Sequence, residues 1–590
     1  MAGGKPAATE SSRRPTVMKY RWNLPPPRPI EIRLLRERLG IGELAASCLV
    51  ERGLSDPAVA AAHLDPKLRG LSDPWRLPAM RAAVDRLWTA RTNGEEIVLF
   101  GDYDVDGVTA TAVLTEVLGS LGWKVAQFLP DRFAEGYGLT QTAATNCRAA
   151  NPGATLWMAV DCGTTATGPI AWLREQGVDT MVLDHHQPGP ELPVAVALVN
   201  PQLGTEEGRE LCSAGLAFKL AHAVLKHGRD LGFAAFESFD LRPLLDLVAL
   251  GTIADLVPLR GENRILARAG LERLATTRRE GIVALKEVAG VDAPVRVEQV
   301  GYQLGPRLNA AGRLETARQA LDLVLCRDAA KARLLAEGLD ARNRERQAIE
   351  KTMSDDAIGA VRSRFDPARD YVVVEARLQW HIGVVGIVAS RVLREFHRPT
   401  LIIGGEGGEW RGSGRSIAGF DLAAALRACD DLLVKHGGHA MAAGLTVLPE
   451  RVDELRERLN RIARGCLSPG QLVPELRLDG SVGLDGLGAA VMAELARMEP
   501  FGQGNPAVQV LVPGLRHARP PQRLGREGRH WKFSVTDGRA TMECVWWGAG
   551  DREVPVGEFD LAAVPETSEY GGRSQIRLKL LDWRPRAASV

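Results

Sequence analysis

"LFGDYDVDGVTATAVL", residues 99–114, sets Asp102, Asp104 and Asp106 at alternate positions and then places Gly107. The spacing fits the first six positions of an EF-hand calcium loop. That loop needs a bidentate Glu at position twelve, and position twelve here is Val113. An EF-hand loop is also entered from a helix, whereas "EEIVLF" (95–100) is a short β-branched apolar run that reads as a buried strand. Calcium is set aside. A catalytic metal site and a solvated turn both stay open.

Working outward, residues 76–260 alternate short apolar runs ("EIVLF", "LWMAV", "DTMVL", then "LLDLVALGTIADL") with helical patterns. Such alternation predicts a parallel sheet with helices on both faces. Residues 329–361 contain no Pro, two Gly and many good helix formers, so one long charged helix is expected there as a connector between two lobes. A second α/β unit follows, with strands "YVVVEA" and "TLIIGG" and Gly-rich turns, to about residue 449. Residues 470–590 carry short strand-like runs divided by turn residues, the pattern of a small barrel or sandwich.

The chain has 590 residues, for which the length prior is about four domains. Its 45% hydrophobic and 25% charged content is ordinary for a soluble globular protein. No apolar stretch approaches the ~20 residues that span a bilayer. The N-terminus is polar and Pro-rich without an apolar h-region, so no secretory signal is expected, and a disordered tail becoming ordered near Trp22 is. Eight cysteines without a CxxC pair argue against a disulfide framework or structural zinc and suit a reducing cytoplasm. A net charge of +1 carries no information about a polyanionic partner.

Three further stretches end an apolar run on an acid or histidine: "LWMAVDCGTT" on Asp161, "DTMVLDHHQP" on Asp184-His185-His186, and "LVALGTIADLVPL" on Asp255. In open α/β sheets ligands bind outside the carboxyl ends of the strands, where Asp104, Asp106, Asp161, His185 and His186 would emerge together. Carboxylate oxygens with imidazole suit Mn²⁺, Mg²⁺ or Zn²⁺. Several bridging carboxylates allow two ions ~3.5–4 Å apart, an arrangement that serves phosphoester hydrolysis. Singly, each stretch has a plain reading: a solvated turn, a helix cap at Asp161, a satisfied His pair. Together they favour a metal site.

"GDYDVDG", "VDCGTT", "DHH" and "GTIADLVPL" resemble the four motifs of the DHH phosphoesterase superfamily. "GPRLNAAGR" (305–313), "GSGRSI" (412–417), "HGGHAMAAGL" (436–445) and "PFGQGNP" (500–506) resemble its RecJ branch of single-strand-specific DNA exonucleases. The resemblance covers roughly residues 20–585, in the family's order. It implies two α/β lobes, a DHH lobe with a parallel sheet and a DHHA1 lobe, joined by a long helix, plus a C-terminal OB-like β-barrel. The expected limits are an N-terminal tail and small helical segment (1–75), DHH domain (76–275), helical region and connector (276–361), DHHA1 domain (362–465) and OB-like domain (466–590). By the same resemblance Asp104, Asp106, Asp161, His185 and Asp255 would hold two Mn²⁺ or Mg²⁺ ions, with Asp161 as the bridge. His186 would contact the scissile phosphate or assist the leaving group, Asp184 would orient its neighbours, and Asp102 would ligate or support.

Glycine-framed basic motifs offer phosphate contacts: Arg307, Asn309 and Arg313 in the first, Ser413, Arg415 and Ser416 in the second, His436 and His439 in the third. "RHARPPQRLGREGRHWKFS" (516–534) adds Arg529, Trp531 and Lys532, a basic stripe with aromatics of the kind that grips single strands without sequence preference. No Walker A loop occurs, which argues against an ATP-driven motor. The resemblance implies 5′→3′ release of 5′-mononucleotides from single-stranded DNA in recombination and repair, by a cytoplasmic monomer. Its implied partners are a single-strand-binding protein and a repair helicase, and no membrane. Two other readings are a phosphodiesterase on small nucleotides, for which the connector and tail are superfluous, and a non-catalytic scaffold, for which the carboxylates are too intact.

Overall fold

The computed structural model describes residues 20–586 apart from 133, 206–207, 315, 406, 551 and 571–572. The chain forms two compact units. One comprises residues 58–467 with 497–507, and the other the described residues up to Pro57 with 468–496 and those from 508 onward.

The first unit opens with a five-stranded sheet of β1 (Glu96–Gly101), β2 (Lys124–Phe128), β3 (Leu156–Val160), β4 (Asp179–Leu183) and β5 (Ala197–Val199). The order is β2-β1-β3-β4-β5 and every pairing is parallel. Ile97, Val98, Leu99 and Phe100 are all fully buried, as a sheet covered on both faces requires. The order reverses beside β1, so the crevice at the strands' carboxyl ends is where such a sheet takes a ligand. Helix α1 (Val105–Ser120) follows β1 directly and packs against α2 (Ser213–Asp230) and α3 (Leu245–Ala254).

Helix α4 (Gly305–Leu314) leads toward the connector α5 (Ala329–Arg364). The helix expected over 329–361 is thus present and runs three residues further. Its 36 residues span ~54 Å at 1.5 Å per residue, and the Asp328 carboxylate caps it by accepting the Lys331 N–H at 2.7 Å. Asp340, near its start, takes the Arg307 guanidinium of α4 at 2.9 Å. Further along, Glu350 pairs with Arg391, Asp356 with Arg377 and Arg364 with Glu375, all on the second lobe. A polar helix between two lobes is therefore held along its length by ion pairs, buried at Asp340 and Glu350 and more open at Asp356 and Arg364.

That lobe has β6 (Val373–Leu378), α6 (Val385–Phe396), β7 (Thr400–Gly405), β8 (Trp410–Arg415), β9 (Leu433–His439) and β10 (Ala442–Val447). Its sheet order is β9-β10-β8-β7-β6, parallel only between β6 and β7.

In the other unit, β11 (Val510–Leu524), β12 (His530–Thr536), β13 (Thr541–Trp546), β14 (Phe559–Tyr570) and β15 (Arg573–Pro585) form a ring that the β11–β14 pairing closes. Closure removes the exposed edges of an isolated sheet. Pro520 and Pro521 lie where the β11–β12 register shifts between Arg519 and Gln522, because proline has no N–H to donate. The N-terminal segment belongs to this unit rather than standing alone. Arg21–Asn23 pairs in parallel with Glu475–Arg477, and the Trp22 indole N–H donates to Asp582 at 2.9 Å.

Candidate metal centre

The opening motif is not a solvated turn. Asp102 and Asp106 are each 1% exposed. Asp104 does act as a helix cap, its Oδ1 accepting the N–H groups of Asp106 at 2.9 Å and Gly107 at 3.1 Å. The glycine is required because a Cβ at 107 would lie 2.7 Å from the Asp102 carbonyl oxygen. Asp106, in the first turn of α1, points at the start of α2: its Oδ2 accepts the Ser213 N–H at 2.7 Å and its Oδ1 the Ala214 N–H at 2.8 Å.

Asp161 follows β3 with φ +64°, a left-handed conformation that costs a non-glycine residue ~1–3 kcal/mol and clusters at functional sites. It does not cap the next helix, whose N-cap is Ala166. Its Oδ1 accepts the Ser213 hydroxyl at 2.8 Å. Asp184 follows β4 and organises its own loop. Its Oδ1 accepts the N–H groups of His185 at 2.8 Å and His186 at 3.2 Å, and lies 2.7 Å from His186 Nδ1; its Oδ2 accepts the Thr164 N–H at 3.0 Å. Asp255 caps the end of α3.

His185 Nε2 is buried without a hydrogen-bond partner among the described residues. Around it lie Asp255 Oδ2 at 3.4 Å, Asp161 Oδ1 at 3.5 Å and Asp106 Oδ2 at 3.9 Å, too far for good N–H···O bonds and converging on one space. Among the described residues three sets of potential ligand atoms lie within 4.8 Å of one another: Asp161/His185/His186, Asp106/His185/Asp255 and Asp102/Asp104/Asp161. Asp161 and His185 each belong to two sets.

The electrostatics agree. Burial, with Asp106 and Asp104 next, drives the Asp161 pKa well above the carboxylate range; burial and Asp104 do the same to Asp102. Burial with the charges of Asp106 and Asp104 raises Asp255 to about 9. Burial lowers His185, keeping its imidazole neutral and able to ligate. So many buried carboxylates are costly unless positive charge joins them, and the donor set fits divalent cations. Adding Mn²⁺ to the EDTA-stripped chain is therefore expected to stabilise it by ~2.7 kcal/mol at a hundredfold excess over Kd. Differential scanning calorimetry reads this, and an unchanged Tm would contradict the site.

His186 behaves differently. Burial pulls its pKa down, but the Asp184 hydrogen bond and charge outweigh that and raise it to about 9. Burial pushes Asp184 up, yet the His186 and Thr164 hydrogen bonds hold it below the usual range. Tyr137, absent from the sequence reading, places its hydroxyl 3.0 Å from His186 Nε2. Asn200 was also missed: its Nδ2 donates to the His186 carbonyl at 2.8 Å and the Thr164 hydroxyl at 2.8 Å. Asn200 follows β5 as Asp161 follows β3, so the same strand-end signal could have found it.

The basic motifs divide. Arg307 pairs with Asp340 and donates to the Gln303 carbonyl at 2.7 Å, tying α4 to the connector. Asn309 Oδ1 accepts the Val105 N–H at 3.2 Å, and Gly312 lies so close that a Cβ would sit 3.0 Å from the Tyr103 carbonyl oxygen. "GPRLNAAGR" thus buttresses the aspartate loop; the Arg313 side chain lies outside the described residues. Ser416 is buried, its hydroxyl donating to the Phe420 carbonyl at 2.7 Å. Arg415 donates to Ser413 Oγ at 2.9 Å, both beside Gly386 in the first turn of α6. Burial, then the charge of Arg132, lowers the Arg415 pKa. His436 Nε2 lies 3.0 Å from Asp430 Oδ1, while His439 is exposed. In the barrel Arg529 pairs with Glu527 and Lys532 with Glu543; Trp531 lies under the Arg523 guanidinium at 4.6 Å, and Trp547 is 46% exposed.

Comparison with known proteins runs along the same divisions. Residues 96–252 match the N-terminal domain model of the DHH family, 369–465 the DHHA1 domain and 478–582 the RecJ OB domain. The single-stranded-DNA-specific exonuclease RecJ of Bacillus subtilis is 38% identical over 574 residues, 96% of this chain and 71% of that protein. The RecJ of Dickeya dadantii is 36% identical over 595 residues, 97% of this chain and 98% of its own. The crystal structure of Thermus thermophilus RecJ in complex with Mn²⁺ superposes with a TM-score of 0.83 at 32% identity, covering 97% of this chain and 80% of that one. Its Mg²⁺ complex gives 0.77 at 30% identity, over 97% and 79%. With both lobes, the barrel and nearly the whole length in common, the chain belongs to the RecJ family of single-stranded-DNA-specific exonucleases.

Proposed function

We propose that the chain hydrolyses the phosphodiester bonds of single-stranded DNA from the 5′ end and releases 5′-mononucleotides. The observation that carries this reading is the convergence of Asp161, Asp106 and Asp255 on the unpartnered His185 Nε2. Asp104, Asp106, Asp161, His185 and Asp255 would hold two divalent cations, Mn²⁺ or Mg²⁺, with Asp102 ligating or supporting. Bound there, the cations supply the Lewis acidity that activates water and neutralises charge on the phosphoryl oxygens.

The residues themselves orient the reaction. Asp184 fixes the His186 ring through Nδ1, so Nε2 faces the substrate side, where Tyr137 meets it. With a pKa of about 9 the ring is cationic at neutral pH, suited to stabilising a phosphoryl oxygen or giving a proton to the departing 3′ oxygen. His186→Ala is expected to lower kcat ~10²–10⁴-fold while Mn²⁺ affinity stays near that of the parent, read by steady-state cleavage and Mn²⁺ titration. Equal loss of both would return His186 to the ligand set.

The substrate strand is assigned to Ser413, Arg415, His436 and His439 in the second lobe, with Arg307, Asn309 and Arg313 of α4 kept as candidate contacts. Arg132 and Arg415 repel one another, which a phosphate between them would relieve. Arg529, Trp531 and Lys532, with exposed Trp547, supply a second contact on the barrel. We keep the domain limits 76–275, 276–361, 362–465 and 466–590, and divide the 1–75 segment at Pro57, up to which the described residues group with the barrel unit. We also keep a cytoplasmic monomer working with a single-strand-binding protein and a helicase. Among the described residues no helix is long and apolar enough to cross a membrane.

The test is a long single strand labelled at its 5′ end or internally, incubated with Mn²⁺ or Mg²⁺ against EDTA and blunt-duplex controls. Early mononucleotide release from the 5′ end, absent in both controls, is expected. Cleavage of dinucleotides alone would move the substrate to small phosphodiesters.

A further inference from the structure

We infer that Ser213 is a positioning residue that fixes the Asp161 carboxylate for the cation it would hold with Asp102 and Asp104; this rests on the metal reading proposed above. Ser213 is the first residue of α2 and is fully buried. It serves two carboxylates at once. Its N–H donates to Asp106 Oδ2 at 2.7 Å, and its hydroxyl donates to Asp161 Oδ1 at 2.8 Å. The next N–H, of Ala214, completes a two-point grip on Asp106 through Oδ1 at 2.8 Å. Gly251 of α3 closes the other side of Asp106, where a Cβ would lie 2.8 Å from Oδ1. Asp106 is thus held by main-chain donors and packing that substitution at 213 leaves in place.

Asp161 depends on the Ser213 side chain. Its backbone is in the left-handed region, φ +64°, which aims the carboxylate into the centre but does not fix its rotation. The hydroxyl fixes it by occupying one lone pair of Oδ1, the oxygen 3.5 Å from His185 Nε2. So oriented, Asp161 would present its carboxylate to a cation. Asp161 is common to the sets with His185/His186 and with Asp102/Asp104, whereas Asp106/His185/Asp255 does not include it. Losing the hydroxyl should therefore loosen the cation that relies on Asp161 and Asp102/Asp104 and spare the one at Asp106/His185/Asp255. Hydrogen bonds to metal-ligating carboxylates are commonly worth 10–100-fold in metal affinity.

The experiment titrates the EDTA-stripped full chain with Mn²⁺, reading free Mn²⁺ by electron paramagnetic resonance, for the parent, Ser213→Ala and Ser213→Thr. In Ser213→Ala one Mn²⁺ is expected to bind as in the parent and the other ~10–100-fold more weakly. The Mn²⁺ needed for half-maximal cleavage rises in parallel, and the rate recovers at saturating Mn²⁺. Ser213→Thr, which keeps the hydroxyl, restores the parent titration. If Ser213→Ala does not fold, Ser213→Cys, a similar shape with a weaker donor, is read in the same way. Two sites unchanged in a folded Ala or Cys variant, or both weakened equally, would overturn the assignment. So would a lower saturating rate with unaltered Mn²⁺ binding. A parent chain that takes up no Mn²⁺ would overturn the metal reading itself, an outcome the parent titration shows before any variant is compared.

Discussion

Asp161→Asn is expected to reduce cleavage of single-stranded DNA by at least ~10³-fold, ~4 kcal/mol of transition-state stabilisation, while leaving DNA binding in EDTA unchanged. Asparagine keeps the shape, tolerates the left-handed backbone at φ +64° and still accepts the Ser213 hydroxyl, so the change removes charge and little else. The charge is what the centre needs, because Asp161 belongs to two of the three ligand sets. The same substitution should raise stability without metal. Asp161 is 2% exposed and is pressed by the charges of Asp106, Asp104, Asp102 and Asp255, so neutralising it relieves burial and repulsion together. The variant is expected to melt above the EDTA-treated parent, and to gain less from Mn²⁺. Residual cleavage within tenfold of the parent would remove Asp161 from the reaction; a variant melting below the stripped parent would contradict the electrostatics.

The second large effect concerns stability. Arg264→Met is expected to cost ~3–5 kcal/mol, from four hydrogen bonds of the guanidinium lost at ~1 kcal/mol each. Arg264 is 1% exposed, and its guanidinium gathers four main-chain carbonyls. Nε donates to His63 at 2.7 Å, Nη1 to Pro500 at 3.3 Å, and Nη2 to Arg497 at 3.2 Å and Glu499 at 2.7 Å. This fork pins the stretch that includes "PFGQGNP", and Asn505 reinforces it by donating to the carbonyls of Met498 at 2.9 Å and Pro500 at 2.8 Å. Lysine cannot substitute, having a single nitrogen in place of a planar fork. Thermal melting and hydrogen exchange over residues 497–507 are the readouts. A Tm within a degree of the parent, with exchange there unaltered, would show that the fork carries no load.

The centre was legible because its signal is local. An apolar run that stops on a carboxylate or imidazole is visible in ten residues, and parallel strands bring all such ends to one edge. Asp102, Asp106, Asp161 and His185 therefore arrive together without any knowledge of the packing. The long helix was equally plain, since its composition admits little else over 329–361. Ser213 was not legible. It stands 107 residues from Asp106 and 52 from Asp161, in a stretch where a serine at a helix start reads as a cap. Tyr137 sits in a Gly-rich loop and shows no periodicity at all.

By itself, then, the sequence determined the chemistry: which carboxylates and imidazoles close which strands, and hence what kind of centre they form. The tertiary structure alone decided which neighbour each of the charged and polar residues meets. Arg307 meets Asp340 on the connector, Lys532 meets Glu543 on the adjacent strand, and the Ser416 hydroxyl turns inward to Phe420. Whether a basic or hydroxyl side chain faces a ligand or a neighbour depends on what folding brings within ~3 Å of it. Those neighbours come from elements whose approach leaves no trace in local spacing.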